Sequence, residues 1–283
     1  MTTRREPTAR QLRLAVELRR LRDAAGLAAR EAAALLGVSH VQISHIESGL
    51  TGVSEERLHR LAANYACVDE ELVSALVAMA TDRTRGWWEE YRGSLPTPFL
   101  DLAELEHYAT SLREIQFLYV PGLLQTEDYA RAVYSYRVPE LPTEELELRV
   151  RHRMQRKAIL EEPDPTPYEA VIHEGALRIR VGDRAAARAQ LAYLLEASEA
   201  NCVTVRVIPF DLDSFGGSWT AMMLADGTVP RLDTVVRDGP HGAAFIDSEA
   251  QLGLFRTLFR KVETVSLDPE RSRDFIHRLA KEL

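Results

Sequence analysis

Cysteine is almost missing from this 283-residue chain: Cys67 and Cys202 are the whole supply, far apart and without metal-ligand spacing. Neither a disulfide framework nor a zinc site is supported by so few thiols, and both read as small buried apolar residues. Also missing is any apolar run approaching the ~20 residues of a membrane span. The opening "MTTRREPTARQ" carries arginines but no apolar stretch behind them of the kind a secretion signal needs. The expectation is a cytoplasmic protein. There is no internal repeat and no low-complexity tract, and 46% apolar with 28% charged residues lies outside the composition of disordered chains.

The common enzyme signatures are absent too. There is no G-x-S-x-G elbow, no glycine-rich phosphate loop ending in lysine and no H-E-x-x-H. "FGGSW" has no lysine, His173 stands beside Glu174 without a further partner in the pattern, and Asp211 and Asp213 flank a turn, where acids are routine. His40 and His45, five apart, do not share a face close enough for a metal pair. No catalytic residue, metal or cofactor is therefore expected, and the chain reads as a non-enzyme. A measurable enzymatic activity would mark the competing class.

Charge is plentiful but uneven. Residues 1–30 hold Arg4, Arg5, Arg10, Arg13, Arg19, Arg20, Arg22 and Arg30 against Glu6, Glu17 and Asp23, a local charge of +5. With −8 over the whole chain, the remainder carries −13. A basic head on an acidic body implies that only the head meets a polyanion.

The length allows one or two domains, and the periodicity divides them. Leu12, Ala15, Leu18 and Leu21 predict a helix from about Thr8 to Ala25, stopped by Gly26. An alanine-rich second helix covers 28–36 and ends at Gly37. Ser39 caps a third reaching Glu47, Ser54 opens a fourth with Arg57 where a capping box has glutamate, and a fifth spans about Asp69 to Thr81. Five short helices make an all-α domain over residues 1–82.

Residues 37–52, "GVSHVQISHIESGLTG", are the most informative stretch. On a helical wheel His40, Val41, Ser44 and His45 share one arc while Ile43 and Ile46 lie opposite, so the isoleucines pack inward and the other side chains are displayed. In a helix-turn-helix the second helix enters the major groove with its N-terminal residues at the base edges. Ser39, His40, Val41, Gln42, Ser44 and His45 occupy that place, and Gly37 allows the sharp turn before it. Over about 65 residues, "LRRLRDAAGLAAREAAALLGVSHVQISHIESG" resembles the lambda-repressor and Cro type, the Xre family. The resemblance implies a structural ion pair between Arg22 and Glu47 and a double-stranded DNA operator as partner. Ala28 and Ala29 stand where the family has a capping threonine and a phosphate-binding glutamine, and the loop after the recognition helix is "LTGVS" rather than basic. Arg4, Arg5, Arg30 and Arg57 are candidate replacements for the missing phosphate contacts, or solvated surface charges.

After the aromatic and proline-rich "TDRTRGWWEEYRGSLPTPF", helical segments at about 126–135, 143–161, 183–198 and 248–262, with a final helix from about Asp268, alternate with β-branched runs. The expected strands are "IQFLYV", "YEAVIH", "VTVRVIPF", "WTAMMLA" and "DTVVRD", giving a larger α+β domain over residues 85–283. Trp87, Trp88, Tyr91 and Trp219 are candidates for a ligand or partner region; the sequence leaves open whether such aromatics line a pocket or fill a core.

"GWWEEYRG", "VPGLLQTEDYARAV", "RHRMQRKAIL" and "VIHEGALRIRVGD" resemble the C-terminal domain of WhiJ-like regulators. That resemblance implies regulation of development or secondary metabolism beside a small BldB-like partner protein, in pairs similar to toxin and antitoxin. The runner-up function is an antitoxin-like interaction module in which DNA binding is secondary. A homodimer is expected, because one weak module gains specificity by spanning two half-sites about 34 Å apart.

Overall fold

The computed structural model describes residues 6–161, 163–213, 215–216, 221–239 and 242–283, in two compact units, 1–89 and 90–283. No helix among them is long and apolar enough to cross a membrane.

The first unit contains α1 (Ala9–Ala24), α2 (Ala29–Leu36), α3 (His40–Ile46), α4 (Glu55–Asn64) and α5 (Glu70–Thr81). Thr8 begins α1 with a reciprocal box: its hydroxyl accepts from Gln11 N–H, and Gln11 Oε1 accepts from Thr8 N–H at 3.1 Å. Ser39, Ser54 and Asp69 cap α3, α4 and α5 from their side chains. Leu18, Leu36, Ile43, Ile46, Leu58, Leu61, Leu72 and Leu76 are buried, drawing all five helices onto one core.

The second unit runs α6 (Thr97–Tyr108), β1 (Ser111–Gln116), α7 (Glu127–Ser135), α8 (Thr143–Arg156), β2 (Tyr168–His173), α9 (Glu174–Arg178), α10 (Arg184–Ala197), β3 (Val203–Ile208), β4 (Met222–Asp226), β5 (Thr234–Gly239), β6 (Gly242–Ile246), α11 (Glu249–Val265) and α12 (Pro269–Glu282). The six strands form one mixed sheet in the order β3-β2-β1-β4-β5-β6. β1, β2 and β3 are parallel, joined by helical crossovers, whereas β4, β5 and β6 continue as an antiparallel meander. This is an α+β unit.

Both faces of the sheet are covered. Leu112, Ala170, Ile172, Val205, Met223 and Val236 share the larger core with Leu123, Tyr129, Leu191, Leu194 and Ile276. Ile115, Val171, Leu224 and Val235 meet Leu252, Phe259 and Val262 of α11 on the other face. β2 is therefore buried on both sides, which is why "AVI" at its centre does not alternate.

Several boundaries differ from the sequence expectation for physical reasons. The first strand is "SLREIQ", not "IQFLYV". Its charged centre is satisfied locally, with Arg113 Nη2 donating to Asp226 at 2.7 Å and Glu114 accepting from Tyr168 Oη at 2.6 Å and Gln116 Nε2 at 2.7 Å. Burial pushes the Glu114 carboxyl above its ordinary range, an effect opposed by those hydrogen bonds. Beyond Gln116 the chain leaves the ladder: Val120 N–H donates to Tyr129 Oη, and Val120 O accepts from Gln125 Nε2 at 2.7 Å. The third strand stops at Ile208 because Pro209 has no N–H to donate. The helix expected to reach 161 ends at Arg156 and continues as a 3₁₀ turn, Lys157–Leu160. The strand expected from Trp219 is described from Met222, since Trp219 and Thr220 lie outside the described residues. Three elements were not anticipated: α6, α9 and the edge strand β6.

α6 carries the charge that organises this unit. Glu106, 1% exposed, receives Arg156 Nε at 2.7 Å and Nη2 at 2.5 Å, a bidentate ion pair out of water. Gly122 backs onto the same guanidinium, where an added Cβ would come within 3.4 Å of Nη1. Beside it His152 is held at about 3 by burial first and then by Arg156 and Arg153, so it stays neutral. Replacing Glu106 by alanine leaves a buried guanidinium unpaired and should cost the second unit on the order of 3 to 5 kcal/mol. Denaturant titration of the full chain, followed by a probe in residues 90–283, checks this. The double variant Glu106→Leu with Arg156→Met should lose less than Glu106→Ala.

Candidate nucleic-acid interface

The helix-turn-helix is built by α2 and α3. Gly37 takes φ 72°, a left-handed conformation that costs glycine nothing, and turns the chain between the two helices. α2 lacks a capping side chain at Ala28, and keeps only the return half of a capping box, Glu31 accepting Ala28 N–H at 2.7 Å. At the other end Arg60 of α4 donates to Leu36 O at 3.0 Å, fixing the α2 C-terminus, a contact that sequence spacing does not reveal.

Ser39 starts α3. Its hydroxyl accepts from Gln42 N–H at 3.3 Å, and Gln42 Oε1 accepts from Ser39 N–H at 3.1 Å. The Gln42 carboxamide oxygen is therefore engaged with its own helix, and its NH₂ group is the part left to face outward. Ile43 and Ile46 are 1% and 4% exposed, while Val41 is 55% exposed. Ser39, His40, Gln42 and Ser44 are exposed and His45 is half-buried. Six of the residues read as base-facing thus lie on or beside the outer arc of one short helix.

Arg30 and Arg57 are exposed, at the starts of α2 and α4. Arg4 and Arg5 lie outside the described residues. The other basic residues of the head are turned to internal work. Arg13 and Arg20 flank the fully buried Glu17 at 3.3 and 2.5 Å, Arg19 lies 3.7 Å from Asp23, and Arg10 lies 3.9 Å from Asp82. The sequence count of positive charge in residues 1–30 therefore overstates what faces outward, because the acids that neutralise it include Asp82 and, for Arg22, Glu47.

Arg22 holds the end of α3 to α1. Its Nε donates to Glu47 Oε1 at 2.6 Å and its Nη2 to Oε2 at 2.9 Å, while Nη1 reaches Leu27 O at 2.7 Å and Asp23 Oδ1 at 2.7 Å. The hydrogen bond to Glu47 is the main reason the guanidinium is held even more firmly protonated than usual. Nearby, burial, with Glu47 adding to it, pushes the Tyr65 hydroxyl up to about 12.

In the second unit Tyr91 is buried, gives its hydroxyl hydrogen to Gln155 Oε1 and lies edge-on to His152 with ring centroids 5.0 Å apart. At the end of the first unit Trp88 is buried and Trp87 half-buried, their rings 6.1 Å apart and nearly perpendicular. Trp219 lies outside the described residues. The turn residues of the motif "VPGLLQTEDYARAV" serve the interior, Gln125 accepting from Arg153 at 2.5 Å and Gln190 donating to Leu124 O while accepting from Thr126 N–H, whereas Glu127 and Asp128 are exposed and pair with Arg131.

Arg22→Ala strips Glu47 of a bidentate partner in a site where both side chains are about nine-tenths buried, and should destabilise the first unit by on the order of 3 kcal/mol. Arg22→Ala with Glu47→Ala should lose less than the sum of the single losses; additivity in a double-mutant cycle would show that the contact carries no coupling.

Residues 13–76 match the family described as a helix-turn-helix domain, and residues 99–278 match that described as a domain of unknown function, DUF5753. No curated protein and no solved structure matches the chain. The first match coincides with the capped turn between α2 and α3 and points to DNA binding. The second covers more than half of the chain, from the aromatic start of α6 into α12, so the chain belongs to the DUF5753 family and carries a helix-turn-helix domain ahead of that region.

Proposed function

We propose that the chain is a sequence-specific, non-enzymatic DNA-binding regulator of transcription, of the Xre type at its N-terminus and WhiJ-like in its larger unit. In this reading it acts as a cytoplasmic homodimer. The observation that carries the proposal is the outer arc of α3, where Val41 stands 55% exposed above two buried isoleucines and behind a doubly bonded Ser39 cap. An exposed β-branched residue at the start of a seven-residue helix has no packing role, and it suits contact with a thymine methyl.

Around it His40, Ser44, His45 and the Gln42 NH₂ supply hydrogen-bond donors or acceptors toward base edges and phosphates, with Ser39 at the helix start. Arg30 and Arg57 take phosphates, joined by Arg4 and Arg5 of the N-terminal arm. Because most arginines of α1 are neutralised internally, one module makes few ionic contacts and binds weakly, which favours two modules on one operator. The larger unit receives the signal, a small BldB-like partner protein by the WhiJ-like resemblance, or a ligand.

Selection of bound duplexes from a random library with the full-length protein should enrich a pseudo-palindromic operator; enrichment of no sequence would overturn the reading. On the selected operator, Val41→Asp with His45→Ala should abolish specific binding, since each lost base contact is worth roughly 1 to 3 kcal/mol. Helix content and oligomeric state should remain those of the wild type. A gel-shift titration with unchanged affinity would remove α3 from the interface.

A further inference from the structure

The sheet of the second unit ends differently at its two edges. At β3 the chain closes its own edge: Leu267 N–H donates to Val207 O at 2.9 Å, and Val207 N–H donates to Ser272 Oγ at 3.0 Å. At β6 the ladder to β5 occupies one side, and among the described residues no other backbone segment bonds to the opposite side.

An open edge presents unpaired N–H and C=O groups to any other strand, and proteins blunt it with lysine, proline, a bulge or a covering segment. Among the described residues β6 has none of these. Its residues are Gly, Ala, Ala, Phe and Ile, and five consecutive pairs with β5 run from Gly239↔Gly242 to Val235↔Ile246 without a bulge. Ala243 and Phe245 pack, only partly buried, against the larger core, Ile246 does so against the smaller one, and Ala244 is exposed.

We propose that β6 pairs antiparallel with β6 of a second copy of this chain, about a two-fold axis through Ala244, joining the two sheets edge to edge. The register that uses the whole strand sets Ala244 opposite itself, Ala243 opposite Phe245 and Gly242 opposite Ile246. Small therefore meets large at every off-axis pair, on the matching face of the sheet, and no charge meets its like. Each Phe245 extends the larger core of its own unit over Ala243 of the other copy. Two-fold pairing of identical patches closes the assembly at a dimer and leaves no further edge of this kind, since β3 is already capped. The inference rests on the homodimer reading and names its surface.

Sedimentation velocity of the full chain over a concentration series tests it, with Ala244→Lys and Ala244→Glu. The position is exposed, with Arg237 opposite it across the ladder of its own protomer, which suits Glu better than Lys, but each substitution sets like charges face to face on the axis. The wild type should dimerise, each variant should dimerise about fivefold or more weakly, and an equimolar mixture of the two should recover dimers because opposite charges then meet. A misfolded strand would not be rescued by mixing. Independently, Ala244→Cys should oxidise to a covalent dimer that the wild type, with Cys67 and Cys202, does not form, because opposed Cα atoms in an antiparallel pair lie about 4.5–5.5 Å apart. A dimer that neither charge weakens and that does not cross-link through position 244 overturns the β6 interface and leaves the homodimer standing. A wild type that stays monomeric at every concentration overturns both.

Discussion

A guanidinium taken out of water must meet a carboxylate, and in the second unit, among the described residues, the ion pair with both partners buried is that of Arg156 of α8 and Glu106 of α6. Around it the neighbouring polar groups fall into order. Gly122 is small enough to approach the guanidinium, Gln125 faces Arg153, Gln190 binds the backbone on both sides of the turn, and Glu114 shares its carboxylate with Tyr168 and Gln116. The motif that looks most like a signature in the sequence is thus a wrapping for the interior face of α8. Its polar residues are conformational anchors, each bonded to backbone or to a neighbouring side chain.

The first unit repeats the device on a smaller scale. Arg22 and Glu47 tie the end of the recognition helix to α1, so the direction in which α3 presents its outer arc depends on a contact 25 residues apart. The same economy applies to α1 as a whole, where Arg13, Arg19 and Arg20 face Glu17 and Asp23. A helix that looks like a polycation in the sequence is held mostly in local ion pairs, and in the proposed function base readout is therefore assigned to α3 with a few peripheral arginines.

The sheet joins two habits of strand pairing. Its parallel half needs helical crossovers and so supplies α7, α9 and α10 to the larger core. Its antiparallel half needs only short turns and ends at β6, after which α11 packs on the face opposite the larger core. The open edge follows from topology, since the segment from Leu267 to α12 goes back to close β3 instead.

Local chemistry wrote much of this into the sequence. Helix starts were legible at Thr8, Ser39, Ser54, Asp69, Thr126, Asp183, Ser248 and Asp268, because a capping side chain acts within three residues of itself. The outward arc of α3 was legible too, since Ile43 and Ile46 set its inner side by periodicity alone. What sequence could not determine were the places where a distant partner reverses the local sign. "SLREIQ" looks too charged for a central strand until Asp226 and Tyr168 arrive across the sheet, and Glu106 looks like a solvated acid until Arg156 comes back 50 residues later. β6 escaped because Gly-Ala-Ala has weak strand propensity, and only pairing with β5 makes it extended. Caps, periodicity and turns are decided within one turn of helix, whereas the worth of a charge or of a small residue is decided by what tertiary structure sets against it.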